Sequence, residues 1–489
     1  MRVRPKQTSF WPWLIFAVLA VAGLGAGVTL SPAWGMVVVM AGLLWWIFFL
    51  YPEIALAVLL SGFQLYPLVF AALGLEISSL TSGVFFVILL SSSILGSFLR
   101  NTRMAITRLK QPASIVFIGF ALYVVLSWLL WSERSSYAIV KLQYTIVIMV
   151  PSFFAALWLP HDRVKRLAWW AVLFSFLGIV IAVSKRFLGL LPPNIQLSLP
   201  PSNYVQFANS VGIGVLLLWN LVLHDKSRRV VMAFFFLFVA FVMVVASGSR
   251  GGFIALMGSL FVFFWATKRW RRSFLIFVPV LLALAIWLAP TLTLGDRAHS
   301  SRRIFGRFVR TFDIFVDTYL YDSANSEKDS ITLDKTDNQS GETKKQTDTG
   351  NQSETVAMKS INSMSSGRVE IWKGSWQSWR EHPWLGVGYG NFVVTLEHNG
   401  MRAHYAHNLV LEAMSELGIV GALLFVSLWG MGILRAIRLL RHGVDVQVWI
   451  ALSILIYASL AGLVSYSFSY FSMYWMGLGL IFSFQPQEG

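Results

Sequence analysis

Hydrophobic residues in this chain fall into long blocks, not short alternations. A bilayer-crossing helix needs roughly 20 mostly apolar residues, with a range of about 17–25. Fourteen segments approach that length: 10–30, 33–50, 53–73, 83–99, 113–131, 137–159, 167–189, 203–223, 230–247, 251–267, 273–290, 407–434, 446–465 and 468–484. Apolar runs of this length predict helices. The expected fold class is therefore all-α: a polytopic integral membrane protein with about 12–14 transmembrane helices. Segments 33–50 and 53–73 also fit a re-entrant pair, but losing one breaks the alternation described below, so both are kept. "MRVRPKQ" precedes the first span and no small-residue cleavage site follows, so that span is read as a retained helix and not a signal peptide.

The polar positions divide the chain into an N-terminal bundle of about eleven spans (1–290), a large loop (291–405) and C-terminal transmembrane helices (406–489). Six connections, residues 1–9, "RNTRMAITRLKQ", "HDRVKR", "HDKSRR", "TKRWRRS" and "RAIRLLRHG", carry 20 of the 39 Lys and Arg residues. The short connections between them carry only Arg134, Lys185, Arg186 and Arg250. Basic loops face the cytoplasm, which puts both termini inside and residues 291–405 outside. Residues 299–321 mix Arg302, Arg303, Arg307 and Arg310 with Phe305, Phe308, Phe312 and Phe315, a pattern suited to an interfacial helix. Residues 322–366 are too polar to bury a core and are expected to be disordered. Residues 366–381 place Trp372, Trp376 and Trp379 at helical spacing, before "HPWLGVGYGNF" breaks the helix.

Composition agrees with the pattern. Of 489 residues 56% are hydrophobic, mean hydropathy is +0.65, and only 13% are charged, where soluble domains carry about a quarter. The 21 Trp and 38 Phe suit membrane interfaces. The net charge of +16 is distributed as a topology signal, which argues against nucleic acid as a partner. With no cysteine, disulfides and thiolate metal sites are excluded.

The candidate chemistry converges on the external side. Arg250 lies in "SGSRGG", where glycines allow a tight turn and close approach to a ligand; an arginine anchoring headgroups is the plainer alternative. Arg368 opens the helix in "SGRVEIW", and a surface arginine is again the alternative. "GVGYG" follows no strand and lacks a phosphate-loop lysine, so a structural turn is the better reading. His404 and His407 stand where the loop meets a long apolar helix. They have no third ligand at zinc spacing, and no D-x-D motif occurs in the chain. Asn408, Glu412 and Glu416 share one helix face. Glu416 lies roughly 13 Å along the helix from His407, deep enough to require a polar cavity or a cationic partner. Lys141 and Glu53 are read as lying near span ends, leaving Glu416 as the one deep carboxylate. Such sparse midspan charge argues against a solute transporter.

"SGRVEIWKGSWQSWREHPWLGVGYGNF" followed by "AHNLVLEAMSELGIVG" closely resembles the O-antigen ligase and O-antigen polymerase superfamily of bacterial membrane glycosyltransferases. "SGSRGG" at the end of an earlier span fits the same arrangement. The resemblance runs from about residue 245 to 425; the earlier spans match only in being hydrophobic. It implies a multi-pass enzyme of the bacterial inner (plasma) membrane with its active site on the periplasmic face. The donor would be a glycan on undecaprenyl pyrophosphate and the acceptor a sugar hydroxyl, that of lipid A-core in a ligase. By the same resemblance Arg250 and Arg368 bind the pyrophosphate and His407 is the catalytic base or orienting group, with Asn408, Glu412, Glu416 and His404 as supporting residues. Asn408 is expected to fix the His407 ring, and His404 to be the more exposed histidine. No cofactor and no metal are expected, and transfer is expected to invert the anomeric carbon. A polymerase joining lipid-linked repeats and a protein O-oligosaccharyltransferase differ only in acceptor, which the sequence does not specify. The chain departs from the family in having fourteen predicted spans where about a dozen are usual. The 322–366 insert is also longer than catalysis requires.

Overall fold

A computed structural model of the chain describes residues 32–62, 65, 79–190, 204–223, 238–244, 247, 249–266, 367–396, 402–441 and 445–484. The expected first and eleventh spans, the interfacial segment 299–321 and the polar insert 322–366 lie outside these residues. The described protein is all-α apart from one two-residue ribbon, β1 (Val394–Thr395) antiparallel to β2 (Arg402–Ala403). Seven described helices are long and apolar enough to cross a membrane, or eight if one bent pair is counted as a span.

That bent pair lies in α1 (Pro32–Leu50) and in α2 (Pro52–Ala57) with the π turn Val58–Gly62 that continues it; Val39–Leu50 and Pro52–Gly62 meet at 105°. Tyr51 precedes Pro52 and adopts φ −129°, ψ 68°. Proline excludes its predecessor from the helical region, so the chain turns there. The two spans expected at 33–50 and 53–73 are thus a broken or re-entrant pair over the described residues.

The following helices are α3 (Ser79–Arg100), α4 (Thr102–Leu109), α5 (Pro112–Trp131) and α6 (Ser136–Tyr144). A π turn, Thr145–Met149, joins α6 to α7 (Val150–Leu157). Pro151 cannot donate to the preceding turn and crowds it, and widening to a π turn accommodates that. Next come α8 (His161–Phe187), α9 (Tyr204–Leu223), α10 (Arg250–Ala266) and α11 (Arg368–Glu381), followed after the ribbon by α12 (Leu409–Arg441), α13 (Val446–Ser465) and α14 (Ser472–Ser483). With only 12 residues α14 is about 18 Å long, so the last expected span, 468–484, is corrected to a half-length helix preceded by an ordered loop.

Aromatic rings join these helices. Phe117 of α5 stacks on Phe153 of α7 at 3.8 Å, and Phe117, Phe120 and Phe425 surround Trp475 of α14. Lipid tails are as apolar as these side chains, so their contribution is close packing.

The basic connections 100–111 and 161–166 and the basic end of α12 gather at one end of the bundle. There Arg108 donates to the carbonyls of Leu157 (2.6 Å) and Leu159 (3.3 Å), Arg163 to those of Leu50 (3.1 Å) and to Glu53 (2.7 Å), and Arg435 to that of Phe484. The loop residues with candidate chemistry lie at the opposite end.

Candidate active site

The site begins with a break in a helix. Gly418 interrupts α12 at φ 64°, ψ −164°, a conformation essentially reserved for glycine. The break releases backbone groups inside the bundle, where each requires a partner. The "HPWLGVGYG" turn supplies most of them. Ile419 N–H donates to Pro383 O (2.8 Å), Val387 N–H to Ser415 O (2.9 Å) and Gly388 N–H to Glu416 O (3.1 Å), while the Tyr123 hydroxyl caps Leu417 O (3.1 Å). The contact is so close that a Cβ on Gly418 would strike the Trp384 carbonyl, and one on Gly386 the Glu416 backbone. The two glycine-containing motifs of the sequence are therefore two halves of one joint.

This joint decides the role of "GVGYG". The N–H groups of residues 386 to 391 all donate within the protein: to His382 O, Ser415 O, Glu416 O, Ser127 Oγ, Glu416 Oε2 and Gly388 O in turn. None is left to cradle a phosphate. The turn is structural, as its sequence context indicated.

Beneath the turn lies an ion triad. Lys141 Nζ is 2.5 Å from a carboxylate oxygen of Glu412 and 2.5 Å from one of Glu416, and all three side chains are at most 1% exposed. The ammonium also faces the rings of Tyr389 (5.1 Å), Phe468 (5.4 Å) and Tyr137 (6.0 Å), contacts favourable to a desolvated cation. Glu412 further accepts from Ser467 Oγ (2.5 Å) and Phe468 N–H (3.2 Å), and Glu416 from Gly390 N–H (3.0 Å). One sequence reading is corrected here: Glu416 is not the one buried carboxylate, since Glu412 is buried with it, and Lys141, near the start of the span Ser136–Leu157 as read, pairs with both. An intramembrane lysine demands a counter-ion, and that demand was the signal available in the sequence. The sparse-charge argument against transport therefore loses its premise, although the carboxylate oxygens of the triad are bonded within the protein.

His407 precedes α12 at φ 53°, unusual for a residue with a side chain. Its Nδ1 lies 3.3 Å from Ser465 O and its ring packs 4.1 Å from Tyr405. A carbonyl only accepts, so this bond puts the proton on Nδ1 and leaves the Nε2 lone pair available. Desolvation depresses the imidazole pKa from 6.5 to about 4; the Ser465 bond opposes that and nearby Arg368 adds to it.

Asn408 does not fix that ring. Its Oδ1 caps α12 by accepting from Val410 N–H (3.0 Å) and Leu411 N–H (3.1 Å), and its Nδ2 donates to Leu463 O (3.0 Å). An asparagine at this position satisfies otherwise unpaired helix N–H groups. His404 is half-buried, as is His407, and stacks on Tyr137 at 4.8 Å.

Arg368 is the first residue of α11, after Gly367 at φ 76°. Its Nη2 donates to Ser465 Oγ at 3.2 Å. Arg250 opens α10; its side chain lies outside the described residues. The next residue, Gly251, packs so tightly that a Cβ there would strike Ser465 Oγ. Ser465, at the end of α13, thus touches Arg368, His407 and the first turn of α10. Sequence reasoning missed it, because a serine at a helix end carries no signal of its own.

Residues 233–426 match the family model described as O-antigen ligase. This range includes Arg250, Arg368, His407 and both glutamates, but not Lys141 or Ser465. An O-antigen ligase of Pseudomonas aeruginosa is 37% identical over 67 residues, which cover 14% of this chain and 17% of that protein.

Proposed function

We propose that this chain, whose residues 233–426 match the O-antigen ligase family model, transfers a glycan from undecaprenyl pyrophosphate to a sugar hydroxyl of lipid A-core. The observation that carries this reading is the convergence of Arg368, His407 and the α10 N-terminus on Ser465. A guanidinium can bind pyrophosphate oxygens bidentately, and a helix start favours an anion. The acceptor hydroxyl attacks the anomeric carbon, its proton passes to His407 Nε2, and the bond from that carbon to the phosphate oxygen breaks. The leaving group is undecaprenyl pyrophosphate, and attack opposite to it inverts the anomeric centre. Protein groups supply the charge stabilisation, without a metal.

The depressed pKa of His407 fits an ordered reaction. In the unliganded site the imidazole is neutral and can accept a proton, but it is a weak base. Pyrophosphate beside Arg368 would offset the positive charge that helps depress the pKa, and so strengthen the base. Base strength would then rise when the donor binds.

On this reading the Ser465 end of the bundle faces the periplasm and the arginine-rich end faces the cytoplasm. The test is deletion of the gene followed by analysis of lipid-linked and surface glycans. Uncapped lipid A-core with intact long donor chains is the expected result. Short, unpolymerised chains would instead identify a polymerase, and unchanged glycans would contradict both.

A further inference from the structure

The buried triad lies near the site without belonging to it, and its bonds lead there. Glu412 accepts two hydrogen bonds from residues 467 and 468. The Ser467 hydroxyl also contacts Ser469 Oγ (2.8 Å), and Phe468 O accepts from Trp475 Nε1 (2.6 Å). On the other side of Ser465, Asn408 holds Leu463 O (3.0 Å). Between these anchors Tyr466 stacks on Phe471 at 4.1 Å and receives a hydrogen bond from Asn209. The segment 463–468 is therefore fixed at both ends, and the residue suspended in it is Ser465, whose carbonyl meets His407 and whose hydroxyl meets Arg368.

We infer that Glu412 and Ser467, backed by Lys141 and Glu416, are positioning residues: they hold residues 465–468 as a strap that fixes the His407 ring with Nδ1 protonated and Nε2 turned to the acceptor. The inference rests on the reading of His407 as the base. An ionised carboxylate suits the task, because its hydrogen bonds are roughly twice as strong as neutral ones. A neutral serine–serine contact would leave the strap freer to shift. Lys141 then has a definite purpose: its ammonium, 2.5 Å away, is the counter-charge beside a carboxylate at 0% exposure. The triad transmits no proton in this scheme and contacts no substrate.

The strap is tested on the full-length chain in lipid nanodiscs by nitrogen-15 histidine NMR, with the His407 signal assigned by its loss in His407→Gln. The groups facing that ring are Arg368, Tyr405 and the Ser465 carbonyl. The unsubstituted chain should show an Nδ1-protonated neutral ring titrating near 4. Ser467→Ala removes one strap bond with little loss of packing. It should give mixed tautomers and lower the midpoint, because the Ser465 carbonyl bond that favours the charged ring is weakened. Glu412→Gln should move it further, and Ser467→Thr, which retains the hydroxyl, should restore it. Unchanged tautomer and midpoint in both Ser467→Ala and Glu412→Gln would overturn the strap. Inorganic pyrophosphate distinguishes this from failure of the functional reading. It should raise the His407 midpoint in the parent chain; a tautomer contrast between variants with no response to pyrophosphate would support the strap and count against the donor site.

Discussion

The two ends of this helical bundle use charge in different ways. At one end Arg108, Arg163 and Arg435 donate to backbone carbonyls around the C-terminal ends of α7, α1 and α14. Cations there satisfy unpaired carbonyls and complement the helix dipole. Arg163 also pairs with Glu53 there; at the other end the charges meet side chains. Lys141 meets Glu412 and Glu416, and Arg368 meets Ser465 beside His407. The first end is an anchor in which guanidinium groups meet carbonyls at helix ends. The second is built from pairs distant in sequence, Lys141 and Glu416 275 residues apart and Arg368 and Ser465 97 apart, and Arg368 is suited to an arriving anion.

The sharpest way to break this contrast is to ask which end faces outward. The chain has no cysteine, so single cysteines report cleanly. Glu133→Cys at the site end should react with an impermeant thiol reagent in intact cells with a permeabilised outer membrane, while Asn101→Cys at the arginine end should not. The reverse pattern would invert the proposed orientation.

Stability separates the ends next. Lys141→Met leaves two buried carboxylates without a counter-ion and should cost about 3–5 kcal/mol, seen as loss of folded protein in the membrane. Arg108→Met removes a donor from two carbonyls and should cost about 1–3 kcal/mol, read as a smaller drop in thermal midpoint. Equal losses would mean that the triad is no more demanding than an ordinary helix cap.

Much of this architecture was legible in the sequence. Apolar run length located α3, α5, α8, α9 and α13 within a few residues, because a membrane helix is specified locally. The helix at 368–381 was legible from its tryptophan spacing. What periodicity cannot show is partnership. Lys141 and Glu416 are 275 residues apart, and Ser465 resembles any serine at a helix end. The Gly418 break was hidden inside an apparently continuous apolar run. Only the turn that fills it explains why "HPWLGVG" and "ELGIVG" occur together. Asn408 was misread for a related reason: residues adjacent in sequence need not face each other, and capping the helix satisfied more of its hydrogen-bonding groups.

Two smaller effects sharpen the chemistry of the site end. Arg368→Lys keeps the charge but loses the planar fork. It should reduce glycan transfer by about tenfold or more, the equivalent of one charge-assisted hydrogen bond, with protein abundance unchanged. Full activity would remove Arg368 from the pyrophosphate role. His407 should also leave a trace in stability. Its pKa is about 4 in the folded chain against 6.5 when unfolded, so between these values the unfolded state binds more protons. Stability should therefore fall as pH drops from about 6.5 to about 4. His407→Gln should flatten that slope in thermal melts; an identical slope would place the ionisation elsewhere.

The central claim is that His407, held on Ser465, accepts the acceptor's proton, whereas His404, stacked on Tyr137, does not. The direct measurement is consumption of lipid-linked donor per folded molecule by purified His407→Ala and His404→Ala chains. His407→Ala should lower turnover by about 10² or more, the lower end for a positioned acid–base group, and His404→Ala should cost much less. Near-normal turnover per folded molecule in His407→Ala would contradict the assignment.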